Sequence, residues 1–179
     1  MFKKILLVLA AIVVAILIVA AFQSDTYRVE RSLAIAASPA DLFAQVNDLH
    51  KAQGWSPWLK LDPNAKSTFE GPASGVGASN SWAGNSEVGE GRQTIVESRP
   101  NELVRLKLDF YKPMAGTATA ELAFKPESGK TLVTWSMSGS KNFVSKVFCL
   151  FMSMDKMIGD QFEKGLASLK TLVEVPAKI

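Results

Sequence analysis

The amino-acid sequence predicts an α+β domain in which a bent antiparallel sheet wraps around one long C-terminal helix, with a transmembrane helix in front. Three observations carry this prediction. A long amphipathic pattern lies near the C-terminus, short alternating segments fill the middle, and an uninterrupted apolar segment lies at the N-terminus. In order, the elements are the apolar helix, a strand, a helix, about six further strands and the long helix, which gives a sheet of about seven strands.

The stretch from Asn142 to Val173 contains the helix around which the rest of the chain is organised. From Phe151 onward, apolar residues recur every three or four positions, which places them on one face of an α-helix. These residues are Phe151, Met154, Ile158, Phe162, Leu166, Leu169 and Val173. No other segment of the soluble part predicts a helix of similar length, so we expect a sheet to cover this face. Met and Phe side chains crowd its first turns, where they either form core or line an adaptable hollow.

Three segments in the second half of the chain alternate apolar and polar residues. They span residues 102–111, 116–125 and 131–140. The apolar face of the first consists of Val104, Leu106, Leu108 and Phe110. A period of two with one apolar face is typical of an antiparallel sheet that turns its other face to solvent.

The segments before these strands are shorter. Residues 27–36 are predicted as a strand, and Ser38 with Pro39 begins a short helix, because Ser is a favoured N-cap and Pro suits the first helical position. The Trp-Ser-Pro-Trp stretch at 55–58 is predicted as extended or turn backbone, because Pro restricts the chain there. Half of the twelve glycines fall in residues 71–91, as expected for short strands joined by tight turns.

The N-terminal segment predicts a membrane anchor. Residues 5–22 contain no charge, Pro or Gly, and at about 1.5 Å per residue such a helix would be roughly 27 Å long, close to the thickness of a bilayer's hydrocarbon core. A cleaved signal peptide, with small residues at 19–21, is the alternative. Lys3 and Lys4 favour a cytoplasmic N-terminus. We therefore expect a single-pass protein of the inner (cytoplasmic) membrane, whose domain faces the periplasm or the exterior.

The length of 179 residues suits one domain plus this extra segment. We predict an anchor over residues 1–22, a linker over 23–26 and a folded domain over 27–176. The net charge is +3, and the basic residues are scattered without a run or a recognition-helix pattern, so we expect no nucleic-acid partner. The chain does not show the oligomeric state.

No catalytic or metal-binding set emerges from the motifs. A single Cys excludes an internal disulfide and a cysteine-based zinc site, and there is only one His. Cys149 lies among apolar residues and predicts a buried, inert thiol. His50 predicts a solvated surface side chain, and nothing in the sequence brings it to Cys149. We expect no metal and no cofactor.

Glu90 and Arg92 are two residues apart on one strand and share a face. If that face points inward, they are the few polar groups of an apolar pocket and orient a ligand head group or a substrate carbonyl. If it points outward, they form a solvated pair. The strand's pattern leaves its parity open and favours the outward pair.

The order of elements and several motifs resemble the START/Bet v 1-like (SRPBCC) superfamily, and within it the polyketide cyclase/dehydrase and lipid-transport group. The segments that carry the resemblance are 29–43, Trp-Ser-Pro-Trp at 55–58, 71–77, 89–92, 134–137 and 151–159. The resemblance implies a helix-grip (Bet v 1-like) fold with a hollow between the sheet and the long helix. The superfamily includes lipid carriers, hormone receptors and cyclases, so the resemblance implies the fold more firmly than the function.

The candidate lining of this hollow combines aromatic, Met and aliphatic residues with the one polar pair. The candidates are Trp55, Trp58, Trp82, Glu90, Arg92, Leu108, Phe110, Trp135, Met137, Phe151, Met154, Met157 and Ile158. The leading hypothesis is a membrane-anchored extracytoplasmic domain that binds a hydrophobic small molecule or lipid. A polyketide cyclase-like enzyme and a non-catalytic interaction module that regulates a membrane partner are the alternatives.

Overall fold

Seven strands form one antiparallel sheet in the order β1-β7-β6-β5-β4-β3-β2, and a long C-terminal helix packs against it, which confirms the predicted architecture. The structure is a computed structural model that describes residues 2–174. The strands are β1 Thr26–Ile35, β2 Lys66–Glu70, β3 Ser79–Ala83, β4 Glu90–Arg99, β5 Leu103–Lys112, β6 Gly116–Glu127 and β7 Lys130–Ser140. The helices are α1 Phe2–Ala21, α2 Pro39–Val46, α3 Leu49–Ala52, α4 Trp58–Leu61, α5 Phe143–Cys149 and α6 Met154–Glu174.

Side-chain caps fix where the short helices begin. The Ser38 hydroxyl accepts a hydrogen bond from the Asp41 amide at 3.1 Å, and Pro39 occupies the first helical position, as predicted. The Trp-Ser-Pro-Trp stretch differs from its prediction, because Trp58 begins the helical turn α4. Pro57 precedes that turn with φ of −70°, a value that also suits the start of a helix.

The C-terminal segment forms two helices, so the prediction of one continuous stripe from Phe151 is wrong at its first residue. The break at residues 150–153 separates α5 from α6, and Phe151 lies in it with 70% of its surface exposed. The Ser153 hydroxyl accepts a hydrogen bond from the Lys156 amide at 3.2 Å. This bond caps a new helix start, and the stripe within α6 then packs inward as expected.

α6 runs beside β1 in the same direction. Near its start, Met154 and Tyr27 line one surface hollow, and at its end the Glu174 carboxylate accepts a hydrogen bond from the Ala36 amide at 2.6 Å. The first turns of α6 therefore lie at the end of the sheet from which α1 leaves, and its last turns lie at the far end.

α1 is long and apolar enough to cross a membrane, and almost all of it is exposed. Ile16 is half-buried and Ala20 is fully buried, and α5 packs against this helix. The predicted domain boundaries stay a prediction; Met1 and residues 175–176 lie outside the described residues.

Candidate functional site

The inner face of the sheet consists of rows of side chains that run across the strands, because directly paired residues point to the same side. One row is fully buried and consists of Val29, Met137, Ala120, Leu106 and Ile95. The next row, toward the end where α1 leaves, consists of Tyr27, Gly139, Ala118, Leu108, Gln93 and Asn80. In this second row only Ala118 and Asn80 are buried. The inner face therefore becomes more open toward α1.

The closed half of the space between sheet and α6 is filled by an aromatic cluster of Trp55, Trp58, Trp135 and Phe162. The Trp135 ring stacks on Phe162 with centroids 4.3 Å apart, while Trp55 and Trp58 meet Trp135 edge-on at 5.4 Å and 5.6 Å. Gly165 permits this packing, since an added Cβ would lie 2.6 Å from Cζ3 of Trp135. No room for a ligand is left at this contact between α6 and β7.

The open half begins beyond this cluster and is lined by Trp82, Leu108 and Phe110, all half-buried. Trp82 and Phe110 meet edge-on at 5.9 Å, and the Trp82 indole donates a hydrogen bond to the Val88 carbonyl oxygen at 3.2 Å, so both rings are held in place. The positions between and beside these side chains are small. They are Gly91, Gly116, Ala118 and Gly139. The Trp82 ring covers Gly91 and the Tyr27 ring covers Gly139. A Cβ at Gly116 would meet no atom within 4 Å, so this part of the inner face is open beside Gly116 and its partner Phe110.

Three buried polar atoms have no hydrogen-bond partner within residues 2–174. They are Oδ1 of Asn80, Nε1 of Trp135 and Oε1 of Gln161. Because Cζ3 and Nε1 lie on opposite edges of an indole, Nε1 of Trp135 faces away from its contact with Gly165. Buried polar atoms normally have partners, so such orphans often mark a place where water or a ligand supplies them.

An ion-pair clasp fixes the start of α6 on β1. The Arg31 guanidinium donates to Asp155 at 3.0 Å and to Glu163 at 2.8 Å. It lies directly against Gly159, where an added Cβ would overlap it. Its hydrogen bonds hold the pKa of Asp155 below the ordinary value, and the two carboxylates raise the pKa of Arg31. The first two turns of α6 are thereby held at the border between the two halves.

At the edge of this region, Tyr27 lies under the start of α6. Burial, and to a lesser degree the nearby Cys149, raises the pKa of the Tyr27 phenol, so it stays a neutral hydrogen-bonding group at physiological pH. Cys149 is half-buried. No three metal-ligating side chains lie together within residues 2–174.

The structure places nine of the thirteen predicted lining residues on the inner face of the sheet or on the elements that pack against it, but divides them. Trp55, Trp58, Trp135 and Met137 belong to the filled core around the closed half. Trp82, Leu108 and Phe110 line the open half, and Met154 and Ile158 are half-buried on the first turns of α6.

Four predicted lining residues lie elsewhere, and their assignment to the hollow is corrected. The Arg92 guanidinium pairs with Glu70 at 2.9 Å and donates to the Ser79 hydroxyl at 2.7 Å, on the side of β4 opposite to Gly91. Glu90, at the start of the strand, pairs with the exposed Lys112 at 2.8 Å. The register of β4 therefore places Glu90 and Arg92 on the outer face of the sheet, which is the alternative that the sequence favoured. Phe151 and Met157 are largely exposed, because the helix break turns the first outward and the second lies on the outer side of α6.

The sequence prediction missed the groups that give the site its shape. Arg31 was one charged residue in an alternating strand, and its partners are 124 and 132 residues away along the chain. Gln161 and Asn80 were likewise ordinary polar residues in their segments. A signal existed only for Gly159 and Gly165, since two glycines inside a long predicted helix indicate close packing.

Residues 26–174 match the model of the family described as polyketide cyclase/dehydrase and lipid transport. The chain belongs to this family. No curated protein matches the chain.

Solved structures confirm the Bet v 1-like fold of this family member, and at these identities they show the fold alone. Truncated norcoclaurine synthase from Thalictrum flavum is 15% identical, with a TM-score of 0.62 over 87% of this chain and 99% of that one. Ginseng major latex-like protein 151 from Panax ginseng is 12% identical, with a TM-score of 0.59 over 86% and 100%. The di-domain ARO/CYC StfQ from the steffimycin biosynthetic pathway is 13% identical, with a TM-score of 0.61 over 83% and 51%.

Proposed function

We propose that this family member binds a hydrophobic small molecule or lipid in the open half, and that α1 anchors it in the inner membrane with the domain outside the cytoplasm. The observation that carries the proposal is the half-exposed apolar inner face with its fixed rings, in one row with the buried Asn80, whose Oδ1 has no hydrogen-bond partner within residues 2–174. Ligand sites are usually apolar surfaces with a few placed polar groups. The closed half supplies the rigid wall against which such a ligand packs.

The polar atoms specify what kind of ligand fits. Trp135 offers an N–H donor, whereas the Oδ1 of Asn80 and the Oε1 of Gln161 are acceptors. No charged side chain is among the three. A mostly apolar molecule with a carbonyl or hydroxyl group therefore fits this face better than a strongly anionic one.

The apolar α1 supports the second part of the proposal. Its length suits a bilayer, and Lys3 and Lys4 at its start favour the cytoplasmic side. Tethering raises the local concentration of membrane-dissolved ligands at the domain, which offsets a modest intrinsic affinity.

The test is to purify residues 23–179 natively from a bacterial extract and to analyse an organic-solvent extract of the protein by mass spectrometry. We expect a stoichiometric lipid or other apolar compound. A protein that comes out empty, and whose melting temperature no member of a lipid panel shifts, would contradict the proposal and favour an interaction module.

A matched pair of variants locates the ligand. Gly116 lies opposite Phe110 on the inner face, and a Cβ there would meet no atom within 4 Å. Gly116→Trp therefore adds bulk to the open half without a clash and should lower the bound amount. Thr117→Trp places the same ring on the outer face and should leave it unchanged. Equal loading of both variants would place the ligand elsewhere.

A further inference from the structure

The end of the domain from which α1 leaves is unusually rich in exposed apolar side chains. Outside α1 and Phe22, residues 2–174 contain eleven large apolar side chains that are exposed, and eight of them lie at this end. The eight are Tyr111, Met114, Phe143, Val144, Phe148, Phe151, Met152 and Met157. Scattered apolar residues on a surface need no explanation, whereas a concentration at one end marks an interaction surface.

Five of these side chains form what we call the α5 stripe: Phe143, Val144, Phe148, Phe151 and Met152. The amides of Phe151 and Met152 donate to the Phe148 carbonyl, which continues the helical turn beyond the end of α5. With spacings of three and four, the stripe covers one side of this short helix. Val144 is 63% exposed, so the rest of the protein does not cover this side.

The other side of α5 is tied to the base of α1. Lys146 is buried, and its ammonium group pairs with the Asp25 carboxylate just after α1. This pairing lowers the pKa of Asp25. The Lys141 amide also donates to the Asp25 carbonyl at 2.7 Å. These contacts hold α5 beside the chain as it leaves α1, with the stripe turned away from the domain.

The contact between α1 and α5 fixes the depth of the stripe. α5 packs against α1, whose covered residues are Ile16 and Ala20. Ile16 lies six residues and Ala20 two residues before the end of the apolar segment at Phe22, which is about 9 Å and 3 Å along a helix axis. If α1 spans the bilayer, α5 must lie at that depth below the hydrocarbon boundary. Interfacial helices bury their apolar side about 5–10 Å into this boundary.

We infer that the α5 stripe is inserted in the outer leaflet of the same membrane that α1 spans, and that Tyr111 and Met114 at the turn between β5 and β6 rest on its surface. This inference rests on the proposed anchoring role of α1. The occupant is a lipid surface rather than a protein, because the stripe continues the apolar surface of α1 itself. The interaction is apolar, since Lys146, the only charged residue in positions 143–152, is buried and paired.

One consequence concerns the route of a ligand. The open half and the first turns of α6 face the same end as the stripe. A surface hollow of about 460 Å³ lies there, lined by residues that include Tyr27 and Met154 together with Phe151 and Met152 at the end of the α5 stripe. An inserted α5 places this hollow at the level of the lipid head groups, so a membrane-dissolved molecule reaches the domain without crossing water.

The experiment measures depth in the full chain, reconstituted in phosphatidylcholine nanodiscs. Cys149 is the only cysteine, so a Cys149→Ser background accepts single spin labels. Labels at Phe148→Cys and Val144→Cys report on the stripe. The label at 144 provides an independent reading in case replacing Phe148 disturbs the local structure. Ser128→Cys, in the turn at the far end, is the water control, and Ile12→Cys reports on α1.

We expect labels at 144 and 148 to collide mainly with oxygen, which partitions into lipid, and the label at 128 to collide mainly with a water-soluble nickel complex. Nickel accessibility at 144 and 148 equal to that at 128 would overturn the inference. Shielding from both reagents would also overturn it, in favour of a protein partner or a second copy. If the label at position 12 still collides mainly with oxygen, the anchoring role of α1 remains supported although the inference about α5 is wrong. If all four labels collide mainly with the nickel complex, both proposals are wrong.

Discussion

The two halves of the space between sheet and α6 are built from the same strands and the same helix, yet they serve different purposes. In the closed half, large aromatic rings meet a glycine on α6 and no space remains. In the open half, the Trp82 and Phe110 rings pack against each other, and small residues lie beside them on the inner face. The protein thus separates a filled, stabilising contact from a half-exposed apolar surface.

Removing a ring from each half should show the largest difference. Phe162→Ala in the closed half leaves a cavity against Trp135 and should lower the free energy of unfolding by about 3–5 kcal/mol. Phe110→Ala in the open half removes a half-buried ring and should cost about 1 kcal/mol. Urea unfolding of residues 23–179 measures both. Equal losses would mean that the open half is also packed core.

Alanine substitutions at the two α6 glycines that approach the sheet, Gly165 and Gly159, should also differ, with the larger loss of stability in the closed half. A Cβ at position 165 meets the Trp135 ring and the Pro57 ring, at 2.6 Å and 3.1 Å, and neither is free to move. Gly165→Ala should therefore destabilise by about 1–3 kcal/mol. Gly159→Ala meets the end of the flexible Arg31 side chain, which swings aside, so its effect should be smaller. The reverse order of melting temperatures would contradict this view of the closed half.

The clasp between the halves should give the smallest effect, and one that depends on pH. Because the pKa of Asp155 is lower in the folded protein, its pairing with Arg31 stabilises the fold above the ordinary carboxylate pKa. This contribution is lost as the pH falls below about 4 and through the lowered value. Asp155→Asn should flatten that part of the stability profile. Asp160→Asn, one turn further on and paired with the exposed Lys156, should preserve it.

Much of the fold follows from local patterns. The alternation in residues 102–111 and 131–140 predicted β5 and β7 with their inner faces, because burial on one side of a sheet repeats every two residues. Ser38 and Pro39 predicted the start of α2 for a similarly local reason. The break before α6 was missed, since apolar spacing runs through residues 150–153 although a Ser cap begins a new helix there.

Several predicted lining residues lie where the sequence placed them, whereas their role in a binding site stays a prediction. Trp82, Leu108 and Phe110 were expected on the hollow and do lie on the open half. Met157 and Phe151 were expected beside them but are exposed, because the spacing of apolar residues does not distinguish a helix side that packs on a sheet from one that is left uncovered. Arg92 needed the strand register, which β4 did not supply, because its apolar residues Ile95 and Val96 are adjacent and lie on opposite faces.

The sequence by itself determined the α+β class, the family, the apolar N-terminal helix and most strand faces, since each depends on short-range periodicity, caps or local motifs. Only the tertiary structure decided which half of the inner face is filled, that Arg31 holds α6, and that the α5 stripe lies beside α1. The ion pairs of Arg31 and the contact of α5 with α1 join residues more than a hundred positions apart. The geometry of all three features depends on the register of the sheet and on contacts between distant elements, which no local pattern records.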